Sequence, residues 1–203
     1  MGYARIQLVS NMKEIIQQLE KRFFIKRKDE TRHNLTFITV SKDVAVEVIT
    51  YLRDYLGFRH LVMISAVDFI EDNLFQLTYL LHSYATHADI GVRVKLDRDH
   101  PRMESIHHLW AAASVYQREL YEMFGIEFPG SPHLTESMIL EGWDTIPPMR
   151  KEFDTKKYAE TTYFPREGRF KQDPREIMEI KLYPVETEVK YGIKQVVRKI
   201  RNR

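Results

Sequence analysis

The chain contains no cysteine in its 203 residues. Iron–sulfur clusters are held by cysteine thiolates and c-type haem is attached through a Cys-x-x-Cys-His, so neither centre is bound by this chain in its usual way. Thiolate zinc sites fall with them, and the eight histidines form no His-Glu-x-x-His. His107 and His108 are adjacent and expected on different sides of a helix, while His82 and His87 flank a strand end, so no spacing aims two imidazoles at one metal. Glycine is scarce as well, with eight residues and none in a dinucleotide or P-loop pattern. There is no Gly-x-Ser-x-Gly nucleophile motif. No apolar run reaches the roughly 18 residues that would suggest a membrane span. The opening MGYARIQLVSNMKEII lacks a continuous apolar stretch and a small-residue cleavage site, which predicts a protein that is not exported and stays in the cytoplasm.

What is present is globular: 43% hydrophobic and 30% charged residues. The length suits one domain plus an appendage, and a core of about 150 residues buries roughly 70% of its unfolded surface. The net charge of +2 hides an asymmetry. Residues 154–203 hold thirteen Lys and Arg against eight Asp and Glu, an excess of +5, which leaves residues 1–153 at −3. A basic tail on an acidic body suggests a segment meant for another surface.

Taken in order, Asn11 with Glu14 three residues on is a capping-box start, and Met12, Ile15, Ile16, Leu19 and Phe23 form a stripe, so residues 11–24 are predicted helical. A basic loop, KRKDETRH, follows. Leu35 to Val40 is a first strand, and Ser41 caps a second helix that ends at Gly57. Strands over 58–67 and 74–82 flank a polar turn and should pair as a hairpin. Ile90, Val92, Val94 and Leu96 alternate with Gly91, Arg93 and Lys95 in a fourth strand. The fold class is therefore α+β, a mixed, mainly antiparallel sheet of about four strands with helices packed on one face. It divides into an α+β domain at 1–124, an irregular segment at 125–153 and an extended basic C-terminal arm at 154–203. Within that arm, Met178 to Leu182 reads as a short strand and Val189 to Ile200 as an amphipathic helix.

The stretch from Trp110 to Phe153 is the one whose residues look chosen for more than folding. Leu109, Ala113, Tyr116, Leu120 and Met123 or Phe124 recur at helical spacing, and Gly125 follows where a helix stops in the left-handed conformation. Gln117, Arg118, Glu119, Tyr121 and Glu122 are assigned to the opposite face, with Arg118 and Glu122 as an i,i+4 pair. Glu119 and Glu122 have the composition of a carboxylate pair for acid–base or metal chemistry, but a salt-bridged helix face also accounts for them and is favoured. Beyond Gly125, prolines and glycines break the chain into turns that still hold Phe128, Leu134, Met138, Ile139, Trp143, Ile146 and Phe153. A segment this apolar and this irregular must be covered. Pro147-Pro148 leads into Arg150-Lys151-Glu152-Phe153, which is either an anchor on a partner or a loop stapled to its own domain by Phe153.

The run QRELYEMFGIEF, the following PG, SP and HL, Trp143 and the closing PPMRKEF resemble the signature of the 30 kDa subunit family of respiratory complex I NADH dehydrogenase, which also includes a subunit of membrane-bound nickel-iron hydrogenases. Arg118, Glu119, Phe124, Gly125, Ile126, Phe128, Gly130, Pro132, Leu134, Trp143, Pro148, Arg150, Lys151 and Phe153 fit that pattern. Upstream, SAVDF at 65–69 and GVRVKL at 91–96 resemble it too, so the likeness covers about residues 30–153. Gln117, Glu122, Ser131 and Thr135-Glu136 depart from the family's Glu, Asp, His and Arg pair, and one extra residue separates Trp143 from Arg150.

The resemblance implies a non-catalytic accessory subunit in the cytoplasm-facing arm of a membrane-bound oxidoreductase complex, peripheral to the cell membrane. It implies contact with the hydrogenase-large-like, 49 kDa-type subunit and the small iron–sulfur subunit, and indirectly with the membrane arm. No catalytic residue, cofactor, metal, nucleic acid or small-molecule substrate is expected for this chain. The expected partner interface comprises Arg118, Glu119, Glu122, Phe128, Leu134, Trp143, Pro148, Arg150, Lys151 and Phe153. The departures, with the charge-rich composition, lean toward a membrane-bound hydrogenase or a related ferredoxin-driven ion-pumping complex over a quinone-reducing one. The alternative is a stand-alone basic module that binds nucleic acid or an anionic surface through its tail, whose affinity would fall steeply with salt.

Overall fold

The computed structural model describes residues 12–160. Expectations for residues 1–11, including the Asn11 cap, and for 161–203, including the strand and helix of the basic arm, lie outside them. Chain contacts divide the protein into two units, Met1–Phe153 and Asp154–Arg203. In the second, a single helical turn, Thr155–Tyr158, starts on Asp154, whose side chain accepts the Lys157 N–H.

In the first unit the order is α1 (Met12–Arg22), β1 (Arg27–Arg32), β2 (Leu35–Val40), α2 (Lys42–Asp54), β3 (His60–Phe69), β4 (Leu74–Ser83), β5 (Ala88–Asp97) and α3 (Ala113–Phe124). The strands form one five-stranded sheet in the order β1-β2-β5-β4-β3. Only β2 and β5 run parallel; every other pairing is antiparallel. The α+β class holds, with a mixed sheet as expected, although the sheet has five strands and not four.

The extra strand is β1, RKDETR, which lies in the stretch expected to be a basic loop. Five of its six residues are exposed and none is buried, so it lacks the period-two apolar alternation that marks a half-buried strand. Its place at the sheet edge explains both facts, because a charged edge discourages pairing with another chain. Helix α2 forms over Lys42–Asp54 as expected, but Ser41 makes no side-chain cap hydrogen bond. Instead of a helix, His107 and His108 occupy a turn.

Alternation along β4 places Phe75, Leu77, Tyr79 and Leu81 on one face, all buried. With Ile90, Val92 and Val94 of β5 they join Ile15 and Leu19 of α1, Val48 and Leu52 of α2, and Leu120 and Phe124 of α3 in one core. The helices thus cover one face of the sheet. Along the other face run Leu74, Gln76, Thr78 and Leu80, all half-exposed. Helix α3 is fastened to β3 through a bulge. The pairing slips between Leu61 and Met63, and the carbonyl of Val62 accepts the Tyr116 hydroxyl at 2.9 Å. Just upstream, Trp110 Nε1 donates to the Arg59 carbonyl at 2.8 Å.

Gly91 is the strand position that tolerates no side chain. A Cβ there would lie 2.2 Å from the Phe37 ring, which crosses β5 from the neighbouring strand. Arg93 in turn sits over that ring, 4.0 Å from its centroid. Gly91→Ala is expected to lower stability by about 1–3 kcal/mol through displacement of Phe37. Urea denaturation measures this, and an unchanged midpoint would show that the ring moves aside at no cost.

Candidate docking surface

Beyond Gly125 the chain forms a strap, residues 125–153, whose only ladder contact among the described residues is an isolated parallel bridge between Glu127 and Arg102. Two carboxylates hold it. Glu122, on the last turn of α3, accepts the N–H groups of Met138 and Leu140 at 2.9 Å each, and that of Ile139 at 3.2 and 3.1 Å from its two oxygens. Partial burial pushes its carboxyl up, but those three donors and the charge of Arg118 outweigh burial and hold it below the ordinary carboxylate range. The expected Arg118–Glu122 pair is therefore not the main bond of either group. Arg118 lies 3.8 Å from Glu136 on the strap, and Glu122 serves the strap backbone.

The second carboxylate, Asp68, is buried near the end of β3. Arg98, just after β5, binds it in bidentate fashion, Nε to Oδ1 at 2.8 Å and a terminal nitrogen to Oδ2 at 3.1 Å. The backbone N–H of Lys151 donates to Oδ2 at 2.9 Å across 83 positions of sequence. Desolvation raises the carboxyl, yet the Arg98 hydrogen bonds, the Lys151 N–H and the two positive charges depress it below its ordinary 3.8. A buried carboxylate is tolerated only because all of this meets it.

Three consecutive residues at the end of the strap each find a different partner. Arg150 Nε donates to the Phe124 carbonyl at 2.7 Å, Lys151 binds Asp68, and Glu152 pairs with Arg98. The Met149 N–H meanwhile satisfies the Met123 carbonyl at 3.0 Å. Together with Gly125, whose N–H reaches the Leu120 and Tyr121 carbonyls, the strap closes the carbonyl end of α3, where a cation is also favoured by the helix dipole. Gly125 is needed twice. Its φ is +75°, and a Cβ would meet Arg150 at 3.2 Å and Pro147 at 3.5 Å.

The expected interface residues are spread across different environments. Phe128 is fully buried and belongs to the core. Glu119 is exposed on α3, while Leu134 and Pro148 are half-buried. The side chain of Arg150 is 20% exposed and that of Lys151, paired with Glu71 at 3.5 Å, is 49% exposed. Trp143 and Phe153 pack against each other with ring centroids 5.4 Å apart, and Trp143 Nε1 donates to the Thr145 and Ile146 carbonyls at 3.1 Å. Of the two carboxylates, Glu122 spends its oxygens on strap backbone while Glu119 is exposed. Gln117, assigned to the polar face, is in fact fully buried and accepts the Ser105 hydroxyl at 2.8 Å.

Sequence reasoning misses Asp68 and Arg98. The available signal is a lone acid inside an apolar strand, SAVDF, for which burial demands a cation. It also misses what the strap leaves uncovered: Met138, Ile139, Ile146 and Met149 are 39%, 67%, 47% and 57% exposed.

Asp68→Asn is expected to cost roughly 2–3 kcal/mol, somewhat below the ~3–5 kcal/mol of a broken buried pair because Glu152 still contacts Arg98. Since the folded carboxyl is depressed, its contribution is complete above about pH 4 and is lost as pH falls through the depressed folded value. Denaturation curves recorded across that window should lose part of their acid limb in the variant. An unchanged limb would mean that Asp68 does not hold the strap.

Residues 38–159 match the family described as respiratory-chain NADH dehydrogenase, 30 kDa subunit. The chain is 34% identical over 142 residues to the C-type subunit of the NADH-quinone oxidoreductase of Moorella thermoacetica, covering 70% of this chain and 95% of that one. It is 31% identical over 135 residues to the C/D-type subunit of the NADH-quinone oxidoreductase of Pseudomonas fluorescens, covering 61% of this chain but 22% of the longer polypeptide. Among solved structures, a chain of the membrane-bound sulfane sulfur reductase, an archaeal respiratory membrane complex, superimposes with a TM-score of 0.71 at 25% identity, over 80% of this chain and 96% of that one.

Proposed function

The chain belongs to the 30 kDa subunit family of respiratory-chain NADH dehydrogenase, and from that membership we propose that it is a structural subunit of a membrane-bound oxidoreductase complex, docking through its strap. One observation carries the docking surface. Four large apolar side chains, Met138, Ile139, Ile146 and Met149, stand exposed within one short segment whose backbone is pinned by Glu122 and by Arg150 and Lys151. Apolar groups held rigidly in water gain from being covered, and little ordering entropy remains to oppose it. Glu119, Leu134, Trp143, Pro148, Lys151 and Phe153 would border that contact.

The direct partner in this reading is the hydrogenase-large-like, 49 kDa-type subunit, with the small iron–sulfur subunit beside it. Support comes from the C/D-type relative, in which the counterpart of this chain shares one polypeptide with further sequence and so stays within reach of it. The related complexes are named for quinone in one case and sulfane sulfur in another. A subunit common to both is poorly suited to choosing the acceptor, which fits a positioning role with the redox centres in neighbouring chains. The lean toward a hydrogenase-related complex draws on the archaeal likeness. Among the described residues no helix is long and apolar enough to cross a membrane, and the proposal places the subunit peripherally, on the cytoplasmic side.

A double charge variant, Ile139→Asp with Met149→Asp, tests the surface in the native complex. Both side chains are exposed, so the isolated variant should melt as the parent does. Its recovery with the other subunits is expected to fall by about thirtyfold or more, the effect of losing a hot spot worth ~2 kcal/mol or more. Full recovery of the complex would place the docking surface elsewhere.

A further inference from the structure

The sheet face opposite the helices bears a groove of about 400 Å³ that the strap does not line. It is lined by Phe69, Leu74 and Thr39 together with Lys26, Arg27, Arg93 and Lys95 against Asp29 and Asp72. Asp29 is already committed, lying 2.8 Å from Arg27 and 2.9 Å from Arg93. Arg93 is further fixed over Phe37. Lys26 and Lys95 are exposed and make no ion pair among the described residues. Four cations face two carboxylates here, a local excess of +2 on a body that is net −3 over residues 1–153.

We propose that this groove receives an acidic segment of a neighbouring subunit, with carboxylates meeting Lys26 and Lys95 and an apolar side chain resting on Phe69 and Leu74. The proposal rests on the accessory-subunit reading and adds a second contact, on the sheet face away from the helices. Charge complementarity selects the occupant. The chain's own C-terminal arm carries a net excess of +5, the same sign as the groove, so a net acidic segment from another chain is the better match. A small anion would need several donors aimed at one point, and the arginine best placed to supply them is spent on Asp29. An extended acidic peptide matches a lining that mixes several cations with Phe69 and Leu74.

The test uses the intact complex. A carbodiimide joins lysine amines directly to carboxylates in contact, and mass spectrometry identifies the joined peptides. Lys26 or Lys95 is expected to couple to Asp or Glu of another chain, and K26E/K95E is expected to lower retention of the subunit at moderate salt by about three- to tenfold. Coupling of these lysines only to residues 154–203, or to nothing, in a complex that still holds the subunit would overturn the groove proposal and leave the strap reading standing. So would a K26E/K95E subunit that is retained as firmly as the parent. Purification of the chain free of any partner would remove the accessory-subunit reading and this proposal together.

Discussion

Asp68 sets the terms for the rest of the molecule. A carboxylate taken out of water is unfavourable by several kcal/mol unless positive charge and N–H donors converge on it. Arg98 supplies two hydrogen bonds, and a backbone N–H from the far end of the strap supplies a third. Because Lys151 must reach Asp68, Arg150 is delivered to the open end of α3 and Glu152 to Arg98. Both guanidinium groups then lie within 6 Å of the Phe75 ring, at 5.7 and 5.3 Å, where cation–π attraction favours them. A single buried charge thus joins the sheet, α3 and the irregular segment into one unit.

This closure makes the strap more than a loop. It is fixed at its middle and near its far end by carboxylates from different elements, Glu122 of α3 at residues 138–140 and Asp68 of β3 at Lys151, while Met138, Ile139, Ile146 and Met149 stand exposed. A chain built this way offers a neighbour a pre-ordered surface. The helix-free sheet face bears the charged groove proposed as a second contact, while the β1 edge is blunted by its own charges. The division suits the proposed role, a part that holds other polypeptides in register.

Local signals are legible in the sequence. Helical spacing in α1, α2 and α3, the β3–β4 hairpin and Gly125 as the stop of α3 all follow from rules that act over a few residues, and the structure has them. β1 is hidden because an edge strand exposed on both faces carries no apolar alternation. Gln117 goes to the wrong face because its polarity argues for solvent, whereas Ser105 satisfies its oxygen inside. The stretches SAVDF and PPMRKEF both stand out as motifs, but nothing in either says that they meet, since the contact between Asp68 and Lys151 spans 83 residues and nothing periodic encodes it.

Native-state hydrogen exchange on the isolated chain tests directly whether the strap is pinned before any partner arrives. The amides of Met149 and Lys151 should exchange as slowly as those in the centre of β4, opening only with the sheet. Exchange of these two amides at free-peptide rates would mean that the strap takes its shape only on assembly, and the account of Asp68 as its anchor would be wrong.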